Sequence, residues 1–265
     1  MGALSALRAA GRALMGRVWF IGAGPGAADL ITVRGARLLA QADVVLFDAL
    51  TDPALRALAP QAQWLDVGKR GFVHATRQSA INELLVSSAQ QHAHVVRLKG
   101  GDPSLFGRLE EEIETLAAHG IGFEIVPGVT AALAAAAVAQ RPLTRRGRGR
   151  SVAFSTAMTQ HGEVRATRSA DSEVFYMAGR QLGVLAQRLR AAGWPDDTPV
   201  CVVSRAGCAD PLISEHRLAT LAEAALPHGN RPTVVMVGAA AAATEAPPMT
   251  LSSSRLQAAE NRAPT

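Results

Sequence analysis

Five short, largely apolar runs in the first half of the chain each lead, directly or after one residue, into glycine, aspartate or proline. Val18–Ile21 runs into Gly22-Ala23-Gly24-Pro25-Gly26, Val44–Phe47 into Asp48, and Trp64–Val67 into Gly68-Lys69. Val95–Leu98 runs into Lys99-Gly100-Gly101-Asp102-Pro103, and Phe123–Val126 into Pro127-Gly128. Between them lie stretches of helical spacing: Thr32–Gln41, a short one opened by Asp52-Pro53, Thr76–Gln91, Gly107–His119 and the alanine-rich Thr130–Gln140. A strand apolar at consecutive positions is buried on both faces, as in a parallel sheet covered by helices. The alternation therefore predicts an α/β fold with a mostly parallel sheet. Such sheets take ligands at the carboxyl ends of their strands, which is where the glycine clusters fall.

The stretch Arg141–Arg150 breaks the pattern with five arginines in ten residues. Beyond it, strands are predicted at Val152–Ser155, Val174–Met177, Val200–Val203 and Val234–Val237, with a helix at Leu182–Ala192. A length of 265 residues suits two units at roughly 150 residues per domain. The expected organisation is a tail over 1–16, an N-terminal α/β domain over 17–144 and a C-terminal α/β domain over 145–243. The polar, proline-containing stretch 244–265 reads as a disordered tail.

Composition narrows the function. With 48% hydrophobic and 18% charged residues the chain buries a real core. No apolar run approaches the roughly 20 residues that a bilayer span needs. Cys201 and Cys208 are too few for a disulfide framework or a four-cysteine metal site, and no histidine spacing suggests a metal. The net charge is +5, carried by 25 arginines and only two lysines, Lys69 and Lys99, both in glycine-rich segments. A positive balance permits nucleic acid and equally suits small acidic substrates. With 4% aromatics there is little to stack on bases, which argues against an RNA-binding module.

Each candidate residue has a functional and a structural reading. Glycines at 22, 24 and 26 admit a ligand close to the backbone, or simply turn the chain. A dinucleotide site fits Asp48 as the ribose acid, but Pro25 removes an N–H and the third glycine comes too early. A carboxylate at Asp48, after four apolar strand residues, is partly desolvated unless paired, which suits a base; the alternative is a loop contact. Lys69 reads as a proton donor, an anion contact or a solvated loop lysine. Asp102, in a rigid loop at a strand end, can hold a ligand's amine or ribose hydroxyls, or close a turn. The Thr130 hydroxyl and the helix N–H groups behind it can bind polar atoms, or merely start a helix. The arginine cluster can pair carboxylates bidentately, or be a solvated linker.

Taken together the motifs resemble the tetrapyrrole methylases. The match runs through Val18–Gly26, Ala42–Asp48, Val67–Arg70, Gln78–Leu85, Val95–Arg108, Phe123–Ala132, Pro142–Arg146 and Val174–Gly179, and covers about residues 17–240. The resemblance implies two α/β domains with the active site in the cleft between them, a cytoplasmic homodimer, and S-adenosylmethionine as methyl donor. It implies that Pro25, Gly100, Gly101, Asp102, Leu105, Thr130, Ala131, Met177 and Ala206 line the donor site. Asp48 falls at the family's proton acceptor and Lys69 at its proton donor, and Arg145 and Arg146 are expected to bind substrate. The implied reaction adds two methyl groups to ring carbons of uroporphyrinogen III, giving precorrin-2. The runner-up expectations are methylation of a later corrin precursor and a donor-binding regulatory paralogue. Departures from the family pattern fall at Ala49, Leu109, Glu110, Arg145, Gly147, Ala157 and Met158.

Overall fold

A computed structural model describes residues 15–68, 78–157 and 163–243. Residues 1–14 of the tail expected over 1–16, the tail expected over 244–265, and the candidates Lys69 and Met158 lie outside the described residues.

The strands of the first half are β1 (Arg17–Gly22), β2 (Val44–Phe47), β3 (Gln63–Asp66), β4 (His94–Lys99) and β5 (Phe123–Val126). They pair in parallel in the order β3-β2-β4-β1-β5, as the alternation predicts. Side chains one residue apart in a strand point to opposite faces, and the core divides accordingly. Val18, Phe20, Val44, Leu46 and Val95 pack beneath α2 (Gln78–Gln91) and α3 (Leu109–Ala118), meeting Leu85 and Leu116. Trp19, Ile21, Val45, Phe47, Val96 and Leu98 face the other way, against Leu39 of α1 (Val33–Leu39) and Leu55 of the 3-10 helix Pro53–Leu58. Asp52 caps that helix: its carboxylate accepts the Ala54 N–H at 2.9 Å.

The second sheet has the order β6-β7-β10-β8-β9. Its strands are β6 (Val152–Thr156), β7 (Ser172–Tyr176), β8 (Pro199–Ser204), β9 (Leu212–Arg217) and β10 (Thr233–Gly238). Only β6 and β7 pair in parallel; β10 runs antiparallel to both β7 and β8, and β9 antiparallel to β8. Strand β9 (LISEHR) is not anticipated by the sequence reading, because an edge strand alternately half-buried and exposed lacks an apolar run. The predicted helix appears as α5 (Leu182–Ala191), which covers one face through Leu182, Leu185 and Leu189.

The other face is covered by α4 (Ala131–Val138), from the first half of the chain. Its Ala132, Ala134, Ala135 and Ala136 pack on Val174, Tyr176, Cys201, Val203, Val234 and Met236. Small side chains let the helix approach the sheet closely. The arginine stretch that follows is no loose linker. Buried Arg141 bonds the Ala241 carbonyl and Glu215, and Arg145 to Gly149 close a tight turn with Gly147 at φ +77.

Candidate active site

In the first sheet, β1 and β4 lie side by side, yet their following connections diverge. The chain leaves β1 through α1 on one face towards β2, and leaves β4 through α3 on the other towards β5. A crevice opens at such a switch point. Here it is spanned by the glycine loops themselves: Gly101 N–H donates to the Gly24 carbonyl at 2.7 Å, and Gly24 N–H to the Gly101 carbonyl at 3.3 Å. The loop after β5 closes in as well. A Cβ at Gly22 would lie 2.5 Å from the Gly128 Cα, so only glycine permits that approach.

Asp102 ties these loops together. One carboxylate oxygen accepts the Ser104 N–H and the other the Gly128 N–H, both at 2.8 Å. Gly100 and Gly101 are left with open faces. An added Cβ would find only the Leu50 Cβ at 3.7 Å from position 100, and only the Thr130 Cα at 3.9 Å from position 101. Half-buried Leu105 closes the turn that begins at Asp102.

Loops of the second sheet complete the site. Ala27 N–H donates to the Gly207 carbonyl at 2.6 Å, which sets Pro25 beside the turn that holds buried Ala206. The Thr130 hydroxyl does not cap α4, whose first residue is half-buried Ala131; it bonds the Tyr176 hydroxyl at 2.7 Å. Burial pushes the Tyr176 phenol above its ordinary value, so it stays neutral and able to donate. Phe106 reaches over the same ring, with centroids 5.0 Å apart. Met177, next along, is 45% exposed and strained at φ +57.

Asp48 is paired, not alone. Arg97 donates to its carboxylate at 2.6 Å. The same guanidinium donates to Glu112 at 3.2 Å and to the carbonyls of Leu46 and Leu98, while Lys99 donates to the other Glu112 oxygen at 2.9 Å. The side chains of Arg97, Glu112 and Lys99 are 3%, 1% and 3% exposed, that of Asp48 32%. Burial, then the nearby Arg97, push the Lys99 ammonium below its ordinary value, and Glu112 opposes both. Sequence reasoning misses Glu112, although Leu109, Glu112, Ile113 and Leu116 share one helical face and a carboxylate there stands out.

The expected donor-site residues thus come together, whereas the arginines lie elsewhere. Their turn sits against Asp171, Ser172 and Ala239, where β6 and β7 begin. Tyr176 lies four residues farther along β7, roughly 13 Å away. Arg145 spends its terminal nitrogens on the carbonyls of Ala242 and Ala243, and burial with Arg141 and Arg148 lowers its pKa. Arg146 is exposed and bonds none of the described residues. No group of three or more possible metal ligands occurs among the described residues.

The comparisons agree on one family. A family model for tetrapyrrole (corrin/porphyrin) methylases matches residues 17–225. Over 235 residues the chain is 41% identical to a uroporphyrinogen-III C-methyltransferase of Synechocystis, covering 85% of this chain and 89% of that one. Over 230 residues it is 43% identical to a siroheme synthase of Pseudomonas paraeruginosa, covering 84% of this chain but only 50% of that protein's length. The structure matches that of uroporphyrin-III C-methyltransferase from Thermus thermophilus complexed with S-adenyl homocysteine, at a TM-score of 0.75 and 36% identity. That match covers 84% of this chain and 97% of the other.

Proposed function

The chain belongs to the tetrapyrrole methylase family, and from that premise we propose that it transfers methyl groups from S-adenosylmethionine to two ring carbons of uroporphyrinogen III, giving precorrin-2. One observation carries the reading: the open faces of Gly100 and Gly101 lie between Leu50, two residues beyond Asp48, and Thr130, which is bonded to the second sheet through Tyr176. The residues fit such a donor. Backbone without Cβ admits a ligand at close range, and the surrounding loops are already tied to one another.

The donor supplies an electrophilic methyl on a sulfonium, which an electron-rich pyrrole carbon attacks without a metal or a covalent nucleophile. What remains for the chain is alignment and proton removal. The Asp102 clamp and the Ala27–Gly207 bond hold the loops against which donor and acceptor are aligned, and alignment of this kind is worth up to about 7–11 kcal/mol of barrier. Asp48 takes the proton released from the methylated ring, and Lys69 is proposed as the proton donor. Pro25, Leu105, Ala131, Met177 and Ala206 complete the proposed donor site. Arg146 is proposed to meet a rim carboxylate of the macrocycle, with Arg145 bracing the turn that presents it.

We propose further that the two sheets act as lobes of one cleft and that the enzyme works as a cytoplasmic homodimer. No helix of the described residues is long and apolar enough to cross a membrane. The test is anaerobic incubation with S-adenosylmethionine and uroporphyrinogen III, followed by mass and absorption spectra. Two added methyl groups are expected; donor binding with no methylated product would sink the reading.

A further inference from the structure

Among the described residues only two of the phenylalanine, tyrosine and tryptophan side chains are exposed, Phe106 at 40% and Phe154 at 37%. They come from opposite halves of the chain and meet the same ring. Phe106 lies tilted over Tyr176, with centroids 5.0 Å apart, and Phe154 stands edge-on to it at 6.1 Å. Neither belongs to a core cluster. Phe154 is on the edge strand β6, where the register Phe154–Val174 and Thr156–Tyr176 puts it on the face that α4 covers farther in. Phe106 is in the loop between β4 and α3 at φ +53, a left-handed backbone that a residue with a Cβ rarely adopts. Strain that holds an apolar ring out towards solvent is a mark of ligand contact. Tyr176 is the base of the arrangement. Its hydroxyl is taken by Thr130, so the three rings offer faces and edges but no free hydrogen-bonding group. The Thr130 Cα is also what a Cβ at Gly101 would meet, so the aromatic surface begins where the open face of Gly101 ends.

We infer that Phe106 and Phe154, carried on Tyr176, form an aromatic shelf that takes a pyrrole face of the acceptor. The inference rests on the proposed methylation of uroporphyrinogen III. The pyrroles of that molecule are apolar and electron-rich on their faces, and its carboxylates radiate from the rim. Such a ring is held by its face against other rings, with the charges left outward in solvent. The adenine of the donor is a poorer match, because its edge nitrogens need hydrogen-bonding partners when buried and the shelf has none to give. The shelf is indifferent to the acceptor's charge. It selects by shape, whereas the contact proposed for Arg146 selects by charge.

The experiment is steady-state kinetics with uroporphyrinogen III under anaerobic conditions, for the wild type, Phe106→Ala, Phe154→Ala and Phe154→Leu, at low and at high salt. Calorimetric titration with S-adenosylhomocysteine and thermal melts accompany each variant. Both alanine variants are expected to raise the KM for uroporphyrinogen III about 5-fold or more, by the same factor at both salt concentrations, because apolar contact is not screened. Phe154→Leu, which keeps apolar bulk without a ring, should fall between the wild type and Phe154→Ala. S-adenosylhomocysteine should bind every variant as tightly as it binds the wild type. An unchanged KM in both alanine variants overturns the inference. So does an equal loss of S-adenosylhomocysteine affinity, which would put the donor's adenine on the rings, and so does a rise in KM that vanishes at high salt. If an alanine variant does not fold, Phe106→Leu and Phe154→Leu decide by the same criteria. A wild type that makes no methylated product overturns the proposed function and the shelf with it; normal product with an unmoved KM in the variants overturns the shelf alone.

Discussion

Replacing Gly100 with alanine separates a role in binding from a role in folding. The new methyl group would stand 3.7 Å from the Leu50 Cβ, an ordinary van der Waals contact, and meet nothing else within 4 Å. Gly100 is not among the glycines with positive φ, so alanine adopts its backbone without that strain. Alanine also restricts the unfolded chain, which is worth about 0.4–1 kcal/mol in favour of folding. At roughly 2–4 °C per kcal/mol for a chain of this size, Tm should stay level or rise by a few degrees. The same methyl group occupies the space in which the donor is proposed to pack. Forcing an extra methyl into a packed contact costs about 1–3 kcal/mol, or roughly 5- to 150-fold in Kd. Calorimetric titration with S-adenosylhomocysteine, alongside thermal melts with and without it, measures both quantities. Two neighbours give the contrast. Gly101→Ala should lose stability as well as binding, because its φ of +71 costs a side chain about 1–2 kcal/mol. Gly22→Ala should damage the fold itself, since its Cβ would lie 2.7 Å from the Gly101 carbonyl oxygen and closer still to Gly128. A Gly100→Ala protein that binds the ligand with unchanged Kd refutes the placement of the donor site.

Three further outcomes are expected. Tyr176→Phe strands the buried Thr130 hydroxyl and should lower stability by about 1–3 kcal/mol, whereas Tyr176→Phe/Thr130→Val should recover most of the loss, as denaturant melts of the double-mutant cycle would reveal. Arg146→Ala should raise the KM for uroporphyrinogen III about 10-fold at low salt and spare donor affinity; an unchanged KM would make this guanidinium a solvated one. His228 is buried between the Ser204 and Ser214 hydroxyls at 2.6 and 2.9 Å, and burial pushes its pKa below the ordinary 6.5. Folding therefore favours the neutral ring. Stability should be full above pH 6.5 and fall as the pH drops below it, until the folded ring itself protonates; His228→Gln should flatten that part of the stability profile.

The parts of the fold legible in the sequence are those governed by local period. Runs such as Val44–Phe47, short, opening on β-branched valines and set between helical stretches, read as strands covered on both faces, and the parallel arrangement puts the glycines after β1 and β4 at one edge of the sheet. The strand order also explains why the clusters at Gly22–Gly26 and Gly100–Gly101 meet, but neighbouring β1 and β4 are separated by some seventy residues and no local pattern records their contact. Asp48 reads from the sequence as a desolvated carboxylate unless paired; its partner Arg97 lies on another strand, and Glu112 on a helix beyond that. Tyr176 and Gly207 carry no signal for the same reason, because each matters only through a contact made across the two halves. The arginine turn shows the opposite case: a conspicuous composition whose buried members are spent on carbonyls and Glu215.

The crossing of α4 to the second sheet has a bearing on how the polypeptide is made and handled. A fragment beginning at Arg150 would contain every strand of the second sheet and yet emerge with Val174, Val203, Val234 and Met236 uncovered, a sticky surface that invites aggregation. The first half alone would carry an alanine helix with nothing to lie on, and helices as short as eight residues do not persist in water by themselves. Neither portion alone preserves the packing of α4 on the second sheet. The surface on which α4 lies is complete only once β10, ending at Gly238, is present, so α4 is expected to dock late in synthesis.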